Sequence, residues 1–331
     1  MTKPQFYQLH DPNSPEIQAA IRTELTAGLL AEQAHVAPKY LYDTLGSRLF
    51  DAITELPEYY PTRTERTIMT QHMPQIAQQI PKGAVLVDLG AGSCEKAEKL
   101  FEALQPAHYI PIDISVEYLR LTVSSLQQRY PQIRMSGVGQ DFSTDLLLPP
   151  ELMAQINGLP IVVFYPGSSI GNFAPAQARA LLSRAHALCA TGGAGGGLLI
   201  GVDLVKSSEI LEPAYDDALG VTAAFNLNML LNINHLLGSH FEPKDWQHIA
   251  YFDPQLSRIE MHLQARRDVL VQWPGHSRAF KRGTDIHTEN SYKWTVSGFT
   301  DLLQSASFAK PTSWMDSKQW FSVHWAQTPI N

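Results

Sequence analysis

Gly90, Ala91 and Gly92 follow the apolar run VLVDL and precede a helical pattern. A strand, glycine turn and helix in this order lets a ligand approach backbone amides closely. A dinucleotide-binding fingerprint has a third glycine at the position that Glu95 occupies here. Such a fingerprint also needs no negative charge at the helix N-terminus, because the pyrophosphate binds there. The turn therefore favours S-adenosylmethionine, which has no phosphate, over NAD.

Two further strand ends carry side chains that suit a nucleoside. Asp113 ends the second apolar run, where a carboxylate can accept both ribose hydroxyls. Asp141 can accept from an adenine amine and Phe142 can pack on the ring, while Lys96 is a candidate ligand for the methionyl carboxylate. Each feature alone also fits a plain turn, a helix cap or a solvated charge. Their recurrence at successive strand ends favours one shared site.

Candidate residues for the acceptor substrate lie in three other stretches. Gly167 and Asn172 follow the fourth apolar run, and the Asn172 amide can bind a carboxylate or cap the next helix. Tyr59 lies in a tyrosine-rich segment, where tyrosines more often belong to the core or the rim of a pocket than bind a ligand. Glu289 and Ser291, at positions i and i+2, point the same way in an extended chain and offer a polar pair to one ring.

Short Val/Ile/Leu runs alternate with helical patterns between about residues 84 and 205. Apolar stripes on the intervening helices face the sheet, as at Ala97, Leu100, Phe101 and Leu104. This alternation predicts an α/β fold with a doubly wound parallel sheet. The predicted strands are 84–89, 109–114, 134–138, 161–165 and 198–204.

Two segments depart from the alternation. In residues 1–65 the first predicted helix is capped by Ser14, and Pro15 occupies its first turn. Residues 206–290 have a helical character. A helix over 296–305 and two strands then return to the earlier pattern. We expect one domain of residues 66–205 and 292–331 to bind the cofactor, and a second of residues 1–65 and 206–291 to bind substrate, with a cleft between them.

Composition excludes several classes of function. Lys and Arg number 25 against 32 Asp and Glu, a net charge of −7 that disfavours nucleic-acid binding. Two cysteines cannot form a disulfide framework, and the twelve histidines include no i, i+4 pair, so we expect a reducing cytoplasm and no metal. The chain shows neither a signal peptide nor an apolar run of membrane length, so we expect a cytoplasmic protein without a membrane partner. We also expect a monomer.

Several stretches together resemble the family of histidine-specific Nα-methyltransferases of ergothioneine biosynthesis. They are KYLYDTLGSRLFDAITELPEYYPTRTE, DLGAGSCEKAEKL, YIPIDIS, GQDF, GSSIGNF, AYDDALGVTAAFNLNML, RIEMHL and IHTENSYKW, in this order along nearly the whole chain. The resemblance implies a class I, Rossmann-like S-adenosylmethionine-dependent methyltransferase domain with a discontinuous substrate domain. It also implies trimethylation of free L-histidine to hercynine.

The same resemblance assigns roles to individual residues. The cofactor residues are Gly90, Gly92, Lys96, Asp113, Asp141 and Phe142. Asn172 and Tyr215 correspond to the pair that binds the substrate carboxylate beside Gly167, and Tyr42 to the residue near the reacting amine. The imidazole contacts are Tyr59, Glu289 and Ser291, with Met261 lining the pocket.

Three other functions stay open at this point. A methyltransferase for another aromatic amino acid, such as a tryptophan derivative, would share every cofactor residue. An NAD-dependent dehydrogenase fits the α/β pattern but not Glu95. A nucleoside-binding module would bind the cofactor and turn nothing over.

Overall fold

The computed structural model describes residues 3–9, 14–114 and 116–329, which divide into two compact units. The first unit comprises Met1–Asp11, Arg63–Leu204 and Trp294–Asn331, and the second comprises Pro12–Thr62 and Val205–Lys293. Among the described residues, no helix combines the length and the apolar character needed to span a bilayer.

The secondary structure alternates helices and strands over most of the chain. The helices are α1 (Pro15–Leu30), α2 (Thr44–Thr54), α3 (Tyr60–Gln79), α4 (Glu95–Glu98), α5 (Phe101–Leu104), α6 (Val116–Arg129), α7 (Pro150–Gln155), α8 (Pro175–Ala190), α9 (Ser208–Leu211), α10 (Val221–Leu237) and α11 (Val296–Ser305). The strands are β1 (Gln5–Gln8), β2 (Val85–Leu89), β3 (His108–Asp113), β4 (Arg134–Gly139), β5 (Ile161–Tyr165), β6 (Gly197–Asp203), β7 (Trp246–Asp253), β8 (Arg258–Ala265), β9 (Val269–Trp273), β10 (His276–Phe280), β11 (Asp285–Tyr292), β12 (Thr312–Met315) and β13 (Phe321–Gln327).

The first unit is built on an eight-stranded sheet in the order β1-β4-β3-β2-β5-β6-β13-β12. Strands β1 to β6 pair in parallel, whereas β13 runs antiparallel to β6 and to β12. Every residue of β2, β5 and β6 is buried, as expected for central strands covered on both faces. The strand order reverses beside β2, which is the position where open α/β sheets bind ligands.

Most of the predicted sheet is confirmed. The five predicted strands correspond to β2 to β6 within one residue at each end, and α11 has the predicted bounds. The apolar stripe after β2 is buried, although it spans two short helices, α4 and α5, rather than one. These elements bring the carboxyl ends of β2, β3, β4 and β5 to one edge of the sheet.

Strand β1 was not predicted. Gln5–Gln8 pairs with β4, so this part of the predicted second domain belongs to the sheet. A Cβ on Gly137 would lie 2.8 Å from the Phe6 ring, and one on Gly139 would lie 2.4 Å from the Gln8 side chain. The glycines of β4 therefore make room for β1, a close approach that four residues of sequence do not reveal.

The second unit contains α1, α2, α9, α10 and the strands β7 to β11. Ser14 caps α1 as predicted, since its hydroxyl accepts from the backbone N–H of Ile17 at 3.2 Å. Strands β11, β8 and β7 form an antiparallel sheet in that order, and β9 pairs with β10.

The predicted helical character of residues 206–290 is correct for α10 and wrong from Trp246 onward. In β8, Met261 and its neighbours Glu260 and His262 are all buried, so both faces of the strand are covered. Apolar and polar residues nevertheless alternate strictly along RIEMHLQA, a pattern typical of a strand that the helical interpretation overlooked.

Candidate functional site

The glycine turn lies at the carboxyl end of β2 and is fixed by Asp113. The φ angles of Gly90 and Gly92 are +66° and +49°, a left-handed conformation that glycine adopts without strain. The N–H of Gly92 donates to Oδ2 of Asp113 at 3.0 Å. A Cβ on Gly90 would lie 3.8 Å from the Phe142 ring, so the backbone angle rather than space requires glycine there. The structure thus brings Gly90, Gly92, Asp113 and Phe142 together.

Asp141 and Phe142 follow β4 at the same edge of the sheet. Asp141 Oδ1 accepts from the backbone N–H of Ser143 at 3.0 Å and from the Ser143 hydroxyl. The Phe142 ring packs edge-on against Tyr165 with 5.7 Å between centroids. These contacts hold the loop, and the proposed contacts with an adenine remain predictions.

Lys96 forms an ion pair that sequence reasoning missed. Its Nζ lies 2.8 Å from Oε2 of Glu65, and Oε1 of Glu65 accepts from the N–H of Gly167 at 2.8 Å. A Cβ on Gly201 would lie 1.9 Å from the same carboxylate, so glycine there leaves it space. Glu65 therefore joins Lys96 to the loop after β5. Nothing in the sequence around α3 distinguishes this buried glutamate from a surface charge.

Asp88, two residues before the glycine turn, is a buried acid. Its carboxylate accepts from the Tyr109 hydroxyl at 2.8 Å, and burial raises the pKa of Asp88 to about 7. Burial also raises the pKa of the neighbouring Cys94 thiol, which keeps that sulfur protonated and unreactive. Neither residue was predicted to have a role.

Asn172 is the last residue of a 3₁₀ helix, Ser169–Asn172, that follows β5. It does not cap α8, because the N-cap position is Ala174 and Gln177 supplies the side-chain bond there. Within residues 3–9, 14–114 and 116–329, the amide of Asn172 has no hydrogen-bond partner. The amide of Asn172 is therefore available to a ligand, whereas the N–H of Gly167 already donates to Glu65.

In the second unit, Tyr215, Ser291 and Lys293 form a buried triangle. The Tyr215 and Ser291 hydroxyls are 2.7 Å apart, and Lys293 Nζ donates to each at 2.8 Å. The side chain of Lys293 is only 3% exposed, and its Nζ also lies 4.6 Å from the centroid of the Tyr215 ring. The structure thus joins Tyr215 and Ser291, which are 76 residues apart in sequence.

Glu289 lies on the same strand as Ser291 and is 7% exposed. Burial raises its pKa to about 7, and the charge of Lys293 opposes that rise. Met261 of β8 is its partner across the sheet and is buried. In the part of the chain that the structure describes, the Glu289 carboxylate accepts no hydrogen bond. It is therefore a buried acceptor that a ligand can satisfy.

A series of aromatic contacts connects Tyr42 to the buried triangle that contains Tyr215. Tyr42 packs edge-on against Phe50 and Phe225, at 5.5 Å each, and Phe50 packs against Tyr59 at 6.1 Å. Tyr59 in turn lies 6.3 Å from the Tyr215 ring. Tyr42 is 39% exposed whereas Tyr59 is buried, so the cluster runs from the surface to the triangle. The predicted residues of the second unit are thereby gathered in one place.

Glu260, His262 and His287 form a separate polar network. Their potential metal-ligating atoms lie within 4.8 Å of one another. Glu260 already accepts from Arg258 Nε at 2.8 Å and from the Tyr251 hydroxyl at 2.9 Å, and His262 Nε2 lies 2.9 Å from the same carboxylate. Burial acts to raise the pKa of Glu260, but hydrogen bonds from Arg258, His262 and Tyr251 outweigh it and lower that pKa to about 2. Arg258, Tyr251 and His262 thus satisfy the Glu260 carboxylate, and we interpret the network as support for the sheet.

The chain is similar to known proteins over most of its length. The model of a family described as histidine-specific, S-adenosylmethionine-dependent methyltransferases matches residues 21–328. A histidine N-alpha-methyltransferase of Mycolicibacterium smegmatis is 38% identical over 304 residues, which cover 90% of this chain and 91% of that protein.

Two other relatives extend the comparison. A histidine N-alpha-methyltransferase of Mycobacterium tuberculosis is 36% identical over 306 residues, covering 90% of this chain and 91% of that protein. Ergothioneine biosynthesis protein 1 of Neurospora crassa is 29% identical over 309 residues, covering 90% of this chain and 34% of that longer protein.

Proposed function

Because this chain belongs to the family of histidine-specific, S-adenosylmethionine-dependent methyltransferases, we propose that it methylates the α-amine of free L-histidine. Three successive transfers give hercynine, the trimethylated betaine, as the first step of ergothioneine biosynthesis. The Neurospora crassa relative bears the name of that pathway.

The buried carboxylate of Glu289 is the observation that carries this proposal. A neutral imidazole has one N–H donor and one nitrogen acceptor. Glu289 can accept from the donor, and the hydroxyl of Ser291, two residues away on β11, can donate to the acceptor. An indole has a donor only and would leave the Ser291 hydroxyl without a partner, which a buried polar site disfavours strongly. The geometry therefore favours histidine over tryptophan as substrate.

The first unit suits S-adenosylmethionine. The turn at Gly90 and Gly92 presents backbone rather than side chains, and Asp113 and Phe142 stand beside it. Glu95, in the first turn of α4, adds negative charge where a pyrophosphate would need positive potential. We propose that these residues, together with Asp141 and Lys96, hold the cofactor.

Methyl transfer is an in-line displacement, and bound S-adenosylmethionine supplies the methyl group on a positively charged sulfur. The protein's task is to position a neutral amine and exclude water. We propose that the hydroxyl of Tyr42, which is exposed enough to reach solvent, accepts or relays the proton that the substrate ammonium loses before each transfer. Its ring face can also stabilise the growing ammonium cation by about 0.5–2 kcal/mol.

The remaining substrate contacts are also proposals. Tyr59 and Met261 line the imidazole site in the second unit, and the family resemblance assigns Tyr215 to the substrate carboxylate. Gly167 and Asn172 of the first unit are assigned to substrate binding on the family resemblance and on the available amide of Asn172. Both cysteines are free and buried, which fits the proposed cytoplasmic location. The protein is also proposed to be a monomer, which light scattering tests.

Mass spectrometry of the products tests the function. The purified protein is incubated with methyl-labelled S-adenosylmethionine and, separately, with L-histidine or L-tryptophan. We expect up to three labelled methyl groups on histidine and none on tryptophan. Preferential methylation of tryptophan would establish the alternative substrate, and binding of the cofactor without turnover of any amino acid would establish a non-catalytic module.

A further inference from the structure

Lys293 is a buried ammonium that the proposed reaction does not use directly. It follows β11 by one residue and contacts the hydroxyls of Tyr215 and Ser291, each at 2.8 Å. Its backbone is also fixed, because its N–H donates to the Ser257 carbonyl at 2.7 Å and its own carbonyl accepts from the Ser257 hydroxyl. Burying an ammonium costs several kcal/mol unless its surroundings compensate. A neutral side chain would pack in the same space at lower cost.

We propose that Lys293 is a positioning residue that orients the Ser291 hydroxyl and favours the charged form of Glu289, so that the site recognises a neutral imidazole. This inference rests on the proposed function. It extends that function by naming the group that makes the Ser291 hydroxyl a donor and the Glu289 carboxylate an acceptor toward the imidazole.

The first step concerns the direction of the hydrogen bond between Tyr215 and Ser291. An ammonium only donates, so Lys293 occupies a lone pair on each hydroxyl oxygen. A cation beside a phenol makes its O–H a stronger donor, which favours donation from Tyr215 to Ser291. Both lone pairs of Ser291 are then occupied, and its own hydrogen is directed to an acceptor. That acceptor matches the unprotonated nitrogen of a neutral imidazole.

The second step concerns the charge of Glu289. Burial raises the pKa of Glu289 to about 7, and Lys293 is the neighbouring charge that acts in the opposite direction. Without that cation the pKa of Glu289 would be higher still, so a larger fraction of the carboxyl would be protonated at neutral pH and would accept only weakly. The same cation disfavours a protonated, positively charged imidazole in the site.

Other titratable groups lie around Glu289 but on different sides. Tyr215 faces the site through the triangle with Ser291. Because Met261 is opposite Glu289, the adjacent β8 residues Glu260 and His262 point to the other face of the sheet, where His262 lies opposite His287. Lys293 is therefore the charged group best placed to control Glu289.

Lys293→Met tests the inference through the pH dependence of kcat/KM for histidine. Wild-type protein is measured first, because its turnover of histidine tests the proposed function independently. In the variant we expect the acidic limb of the profile to move at least one pH unit upward, as loss of a neighbouring opposite charge predicts. KM for histidine should rise at least tenfold at neutral pH, while the affinity for S-adenosylmethionine, measured by calorimetry, should stay within twofold.

Two controls separate positioning from a merely structural role. Lys293→Arg keeps the charge and should restore the position of the acidic limb. In a Glu289→Gln background the limb should no longer respond to Lys293→Met, because the group that titrates is absent. Lys293→Gln repeats the comparison with a second neutral side chain should the methionine variant fail to fold.

An unchanged acidic limb in a folded neutral variant would overturn the inference while leaving the proposed function intact. An equal shift in the Glu289→Gln background would also overturn it. A wild-type protein that does not methylate histidine would instead refute the function itself.

Discussion

Glu289→Gln should weaken histidine binding and stabilise the fold at the same time. Glutamine keeps the shape and one acceptor oxygen but removes the charge. The difference between a charge-assisted and a neutral hydrogen bond is about 1–2 kcal/mol, so the Kd for histidine should rise about 5- to 30-fold at pH 8. The affinity for S-adenosylmethionine, whose proposed site lies in the other unit, should not change.

The effect on stability follows from the raised pKa of Glu289. A carboxyl whose pKa rises from 4.5 unfolded to about 7 folded destabilises the native state as pH rises through this interval. At pH 8 that cost is about 3 kcal/mol, since one pKa unit corresponds to about 1.36 kcal/mol. The variant should therefore melt at a higher temperature than wild type at pH 8, and the difference should vanish as the pH falls to 4.5.

Calorimetric titration with histidine and thermal melting from pH 4.5 to pH 8 measure both effects. Asp301→Asn, which removes a charge from the exposed surface of α11, is the matched control and should change neither quantity. A Glu289→Gln protein that binds histidine as tightly as wild type, or that is less stable at pH 8, would refute the reasoning.

Three further substitutions address the other parts of the site. Asp113→Ala removes the acceptor of the Gly92 N–H and the proposed ribose ligand, so the affinity for S-adenosylmethionine should fall at least tenfold by calorimetry; retained affinity would dismiss the assignment. Gly90→Ala forces a side chain into a left-handed conformation and should lower the free energy of unfolding by about 1–2 kcal/mol, measured by denaturant titration, and an unchanged value would contradict the strain argument. Tyr42→Phe should lower kcat with little change in KM for histidine, and steady-state kinetics that show an unchanged kcat would exclude a proton relay through its hydroxyl.

The sheet was predictable because its central strands are short, apolar and separated by amphipathic helices. Periodicity of this kind survives in the sequence whenever burial is uniform along an element. Strand β1 was missed because its position depends on the glycines of β4, more than a hundred residues later. Strand β8 was missed although apolar and polar residues alternate along it, because the helical character of α10 was extended past Trp246.

The candidate site was predictable only in part. Residue spacing placed Asp113 and Gly90 at neighbouring strand ends, and the i, i+2 spacing of Glu289 and Ser291 is confirmed by strand β11. The contacts of Lys293 and Glu65 depend on tertiary pairing across 78 and 102 residues, for which a single sequence contains no signal. The role of Tyr215 in binding the substrate carboxylate came from the family resemblance and stays a prediction, whereas its contact with Ser291 is seen only in the structure.

The central claim is that the Glu289 carboxylate receives the imidazole of the substrate. A crystal structure of the protein with L-histidine and S-adenosylhomocysteine measures this directly. The account predicts one ring nitrogen within about 2.7–3.2 Å of the Glu289 carboxylate and the other at the same distance from the Ser291 hydroxyl. An imidazole bound elsewhere, with Glu289 in contact only with water, would contradict it.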